Sequence, residues 1–192
     1  MIAAMTQTLA ALLAQETSLT GTEQIDFDHP AVCRLVRPRL SLYCYDFRQN
    51  FVGYPSWPQQ VYHLAQQQMF SHQTSSPLPR GPDAENESKW FDISFIVSAW
   101  DWTEFGEKQL LSEALLLLLR HRLLPSDRLA PALKGMGTVY VNVSPVPLES
   151  VTALWQALEA PLRPAIYVTV TLPFCPSTLV PTRDQASLTS VR

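Results

Sequence analysis

Four histidines and three cysteines are the residues of this 192-residue sequence with the widest chemical reach. His29, His63, His72 and His121 form neither an HExxH zinc helix nor any other close ligand spacing. A lone histidine in a loop or a last helical turn is more often solvated or compensating the helix dipole than a ligand. Cys33, Cys44 and Cys175 make an odd count with no CxxC pair and no histidine beside any of them. That pattern fits reduced, buried thiols better than a disulfide framework, a zinc site or an activated nucleophile. No GxSxG elbow exists. Lys134-Gly-Met-Gly137 has its lysine before the glycines, the reverse of a phosphate loop, and reads as a turn. Asp26 and Asp28 share one face of a possible strand, where a metal or acid pair would sit, but edge charges that discourage aggregation are the commoner explanation. Asp101 and Glu104 are better explained as acids at a helix N-terminus than as a general acid and base. The expectation is a protein without catalytic, cofactor-binding or metal-binding residues, and so not an enzyme.

Aromatic residues are plentiful: five tryptophans, six tyrosines and eight phenylalanines. Trp100, Trp102 and Phe105 crowd one strand-to-helix junction, while Tyr43, Tyr45 and Tyr167 fall on the weaker faces of their strands. Only 16% of residues are charged, and aromatic anchors with depleted charge mark the centre of a protein interface. Core and interface remain equal readings for these residues. The formal net charge of −3 argues against a nucleic-acid partner, which calls for a basic face.

The elements that must position these groups follow from periodicity. Residues 2–16 place Ile2, Met5, Leu9, Leu12 and Leu13 at helical spacing. They lack the basic start of a signal peptide, and Gln7, Gln15 and Glu16 interrupt them, which points to cytoplasmic synthesis. GTEQIDFDHP alternates briefly. RLSLYCYDF (39–47), WFDISFIVSAW (90–100), TVYVNVS (138–144) and AIYVTVTL (165–172) alternate as strands, and Ile96 on the second face of 90–100 makes that strand central. Residues 148–158 carry Leu148, Val151, Leu154, Trp155 and Leu158 on one face of a short helix. The 51–89 stretch is rich in Pro and Gln, with QQVYHLAQQQMF a possible helix and 71–88 a polar loop; 173–192 reads as a flexible tail.

The stretch EKQLLSEALLLLLRHRLLP (107–125) is the most apolar. Its unbroken run, 114–119, is far short of the roughly 20 residues that cross a bilayer, and Glu113 and Arg120 bracket it. It therefore reads as a soluble helix stopped by Pro125. Leu111, Leu115, Leu118 and Leu119 form one stripe, and Leu110, Leu116 and Leu117 extend apolar character around the cylinder, so cover on more than one side is expected, from the same domain rather than another subunit. The sum is a single α+β domain over 1–172, with a mainly antiparallel or mixed sheet of about four strands and three helices packed on one side of it.

Three blocks, RPRLSLYCYDFRQN (37–50), WFDISFIVSAWDWTEFGEKQLLSEALLLLLRHRLLP (90–125) and VPLESVTALWQALEAPLRPAIYVTVT (146–171), are together similar to the cap, or tail-terminator, proteins of extracellular contractile (phage-tail-like) injection systems. The resemblance lies in pattern and order over residues 1–172. It departs where that family's middle strand opens with Pro-Leu and this chain has Trp90-Phe91. It implies a hexameric, non-enzymatic ring that closes the sheath and inner tube at the end distal to the baseplate. Its partners would be further copies of itself, the sheath protein and the inner tube protein, with no direct membrane insertion. By analogy, a strand edge near the chain's end would accept arms of the sheath by β-strand addition. Tyr167, Thr169, Thr171 and Phe174 are the expected interface residues. The alternative is an adaptor that tethers the particle to a membrane-bound or other cellular partner through the tail or the 71–89 loop.

Overall fold

The computed structural model describes residues 1–32, 38–50 and 89–174. Helix α1 (Ile2–Glu16) buries Met5, Leu9, Leu12 and Leu13, the i, i+4, i+7, i+8 stripe expected from the sequence, with Ile2 left partly outside. Five of the six strands then build an antiparallel frame: β2 (Arg39–Asn50), β3 (Lys89–Trp100), β4 (Leu123–Leu124), β5 (Val139–Val143) and β6 (Ala165–Phe174). The short β1 (Ile25–Asp26) joins β2 in parallel, and the order across the sheet is β1-β2-β3-β6-β5-β4. The sheet thus has six strands where about four were expected. Both additions are two residues long and lie at the edges, too short for any alternation to register.

Strand period sorts the side chains to two faces. Leu40 and Leu42 of β2, Ile93, Phe95, Val97 and Ala99 of β3, Val139 and Val141 of β5, and Ile166, Val168, Val170 and Leu172 of β6 form one core. Helices α1 and α2 (Glu104–Arg120) cover it. Ile96 and Tyr167 point the other way and meet Trp155 of α3 (Leu148–Ala157). The expectation of helices on one side is corrected here: α3 packs on the opposite face. Its strands carry Tyr43, Ile96 and Tyr167 there, an apolar strip that a helix must cover.

Two helix faces also differ from expectation. In α2 the fully buried residues are Leu110, Ala114, Leu117 and Leu118, with Leu111 and Leu115 packed at their margin, so the stripe is rotated toward Ala114. Leu116 and Leu119 remain exposed. In α3, Leu148, the first helical residue, is 71% exposed and only Trp155 is fully buried, with Val151, Leu154 and Leu158 packed partly buried around it.

Three local features fix the chain path toward the α2 end. Thr103 caps α2, its Oγ1 accepting the Gly106 N–H at 3.0 Å. A Cβ at position 106 would stand 1.7 Å from the Asp101 carboxylate, so a larger residue there would require the Asp101 side chain to swing aside. The Lys134–Gly137 segment is a turn, as expected, with Gly135 and Gly137 at φ of 85° and 104°.

Candidate functional site

No catalytic constellation emerges from the placed residues. Among the described residues no group of His, Cys, Asp and Glu could hold a metal ion, and no helix is long and apolar enough to cross a membrane. His29 stands edge-on to Tyr43 with ring centroids 5.2 Å apart. His121 is the C-cap of α2, and its Nε2 lies 3.0 Å from the Glu16 carboxylate, which Arg128 also engages. These two partners hold the Glu16 carboxyl below its usual value of 4.5, His121 contributing most. Asp26 is an ion-pair partner of Arg39 at 2.9 Å, with both side chains largely buried; it is a tie between β1 and β2 rather than an exposed edge charge. Cys44 is a free, half-buried thiol, and burial pushes its pKa up. Cys33, Cys175, His63, His72 and the proposed helix within 51–88 lie outside the described residues, as do residues 175–192.

The features left to place are the expected interface residues and the exposed surfaces of the sheet and of α2. The four expected interface residues all lie on β6, which runs to Phe174, two residues past the expected boundary. Tyr167 is buried, and its hydroxyl oxygen accepts the Trp155 indole N–H at 2.7 Å. Burial raises the pKa of this phenol. Thr171 is buried and its hydroxyl donates to Asp92 at 2.6 Å, a carboxylate that Asn50 also reaches at 3.1 Å. Thr169 is half-buried and shares a 2.9 Å hydrogen bond with Ser144. Phe174 meets Phe91 edge-on at 5.9 Å, and Phe91 stacks on the exposed Phe47 at 5.1 Å.

The edge expected near the chain's end is elsewhere. β6 is an inner strand, paired with β3 throughout and with β5 from Val168 to Thr171. Its backbone donors and acceptors are already used there, so an added strand finds no open ladder along Val168–Thr171. The long outer edge belongs to β2. β1 covers only Leu40 and Ser41, so among the described residues Leu42 to Asn50 have no strand on that side. Open edges of this length invite strand addition.

A second surface surrounds α2. Arg163 pins the β3–α2 junction: its guanidinium sits 3.4 Å over the Trp100 ring, donates to Ala99 O at 2.8 Å and pairs with Glu107 at 3.1 Å. Trp100 is thereby half-covered, while Trp102 and Phe105 are 73% and 77% exposed. The equal readings for this aromatic cluster split by position: Trp100 is half-buried under Arg163 and the other two are surface. At the far end of the helix Leu116, Leu119 and Leu123 are also exposed. The pinning role of Arg163 was not legible, because the guanidinium and the ring are more than sixty positions apart in the sequence.

A model of the Pvc16 N-terminal domain family matches residues 4–189. No curated protein matches the sequence significantly. Among solved structures, the sheath/tube terminator of the extracellular contractile injection system PVC, in its extended state, is similar at a TM-score of 0.59 and 17% identity. The tube-terminating cap of the anti-feeding prophage is similar at 0.51 and 17% identity. Each comparison covers 100% of this chain, which spans 62% and 58% of those longer chains respectively. At this identity the likeness establishes the shared α+β fold. The match over nearly the whole sequence places the chain in a family: it belongs to the Pvc16 N-terminal domain family.

Proposed function

We propose that this chain is a structural cap that ends the sheath and inner tube of a contractile injection particle at the end distal to the baseplate. The observation that carries the reading is the family match over residues 4–189, joined to a fold shared with two solved terminators of such particles. A terminator must stop a polymer whose every layer exposes a docking face for the next. It does so by accepting the last layer while offering no equivalent face beyond it.

In this reading the chain works as a ring, with six copies matching a six-fold sheath and tube, and it catalyses nothing. The sheath protein, the inner tube protein and further copies of itself are its partners; nucleic acid and membrane insertion have no part. Assembly takes place in the cytoplasm. Sheath arms add as strands at the outer edge of β2, along Leu42–Asn50. Of the residues on β6, Phe174 and Thr169 keep surface that a partner can reach. Tyr167 and Thr171 support them from within through Trp155 and Asp92.

Deleting the gene and imaging the particles by electron microscopy tests the cap role. Sheaths of irregular length with unfinished ends are expected. Uniform particles with finished ends would rule it out.

A further inference from the structure

Exposed apolar residues gather at the two ends of α2, and their charged neighbours differ in sign. At the N-terminal end, Trp102 and Phe105 stand beside Glu104, a well-exposed carboxylate that also pairs with Lys108 at 3.5 Å, and beside Asp101, which keeps this end acidic. At the C-terminal end, Leu116, Leu119 and Leu123 stand beside the exposed Arg120 and Arg122. Phe105 and Leu119 are fourteen positions apart, about 21 Å along the axis at 1.5 Å per residue, so these are two separate patches. Aromatic and leucine side chains rimmed by opposite charge are complementary in both apolar character and electrostatics.

We propose that copies of this chain join head to tail through these patches. The aromatic, acidic N-terminal end of α2 in one copy docks on the leucine- and arginine-bearing C-terminal end of α2 in the next. The inference deepens the cap reading and rests on it, because it names the surfaces that close the ring.

The arrangement within α2 favours this over a reciprocal pair. Phe105, Ser112, Leu116 and Leu119 follow the i, i+7, i+11, i+14 spacing of one helical face. Two antiparallel α2 helices laid side by side would bury the middle of that face, where Lys108, Gln109 and Ser112 would lose water. Trp102 precedes the helix and Leu123 follows it, so the apolar surface extends beyond both ends and is absent from the centre. End-to-end contact uses what is apolar and leaves the polar middle in water. A contact between two different patches repeats around an axis and closes when the rotation allows.

Sedimentation velocity of the full chain over a concentration series tests this. The unmodified chain is expected to associate into a closed species larger than a dimer, more weakly as salt rises. Phe105→Asp and Leu119→Asp are each expected to weaken association roughly tenfold or more, as loss of a central anchor does. Both positions are exposed, and unchanged circular dichroism and melting temperature would confirm that the variants fold. Glu104→Arg and Arg120→Glu are each expected to weaken association, and the double variant to recover it. A chain that stays monomeric at its highest soluble concentration, a dimer that grows no further, or a double charge swap without recovery would each overturn the proposal. If gene deletion leaves unfinished sheaths while the Phe105 and Leu119 variants associate normally, the surfaces are misassigned and the cap reading stands. If deletion leaves particles normal while the variants lose association, the surfaces stand and the cap reading falls.

Discussion

The two faces of the sheet are built from the same strands by different physics. Under α1 and α2, Ile93, Phe95, Val97, Val170 and Leu172 make a core of pure hydrocarbon, whose stability follows the area withdrawn from water. On the opposite face α3 covers a strip around Trp155, and the rest mixes aromatic contact, Trp90 beside Tyr140, with polar pairing: Asp92 with Asn50 and Thr171, Thr169 with Ser144. There the polar groups depend on particular partners at hydrogen-bond distance. The first face tolerates any well-shaped apolar filling, whereas the second is ordered in part by pairing and loses stability when a single polar atom is removed. In the proposed cap role, a scaffold that offers an edge and a face to a polymer would gain from this division. The hydrocarbon side supplies stability and the paired side holds geometry.

Substitutions sharpen that contrast when ranked by effect. Phe95→Ala on the hydrocarbon face is expected to cost about 3–5 kcal/mol in urea denaturation, since a fully buried ring is replaced by a cavity. Tyr167→Phe on the opposite face removes no carbon yet leaves the Trp155 indole N–H buried without its acceptor, at a cost of about 1–3 kcal/mol. Thr171→Val, which is nearly isosteric, is expected to cost about 1 kcal/mol through loss of the hydrogen bond to Asp92. If Tyr167→Phe and Thr171→Val were both neutral, the paired face would be no more than surface and the contrast would dissolve.

The smallest expected effect lies away from both faces, at the clasp of Glu16 with His121 and Arg128. The Glu16 carboxyl is held below 4.5 in the folded chain by His121 and then Arg128. The stabilisation is therefore fully present above about pH 4.5 and is lost as pH falls through the lower, folded-state value. Glu16→Gln should flatten that part of the stability-against-pH curve by about 0.5 kcal/mol, a small figure because the group is partly solvated. Unchanged acid sensitivity in the variant would remove the clasp from the account.

Much of this architecture was legible in the sequence, and the reasons are particular. β3, β5 and β6 alternate, β2 does so up to an irregularity between Cys44 and Asp46, and Ile96 on the second face of β3 correctly signalled a central strand, now flanked by β2 and β6. The leucines of α2 misled for the opposite reason. Five consecutive leucines at 115–119 satisfy several helical stripes at once, so periodicity cannot choose the buried one. The choice fell to Ala114, whose small side chain lets the helix approach the sheet. The placement of α3 on the far face was equally hidden, because a short helix between two strands can return on either side. The candidate surfaces were legible only in part. Composition left core and interface as equal readings, the β2 edge depends on strand order, and the end-to-end polarity of α2 depends on which leucines the sheet leaves outside.

The central claim, that this chain ends a growing polymer, is tested most directly by assembling sheath and inner tube in vitro with increasing amounts of the purified chain and measuring particle lengths by electron microscopy. The account predicts that substoichiometric amounts halt elongation, narrowing the length distribution and leaving the chain visible at one end only. Lengths that do not respond to the chain, or chain bound along the sheath wall instead of at an end, would contradict it.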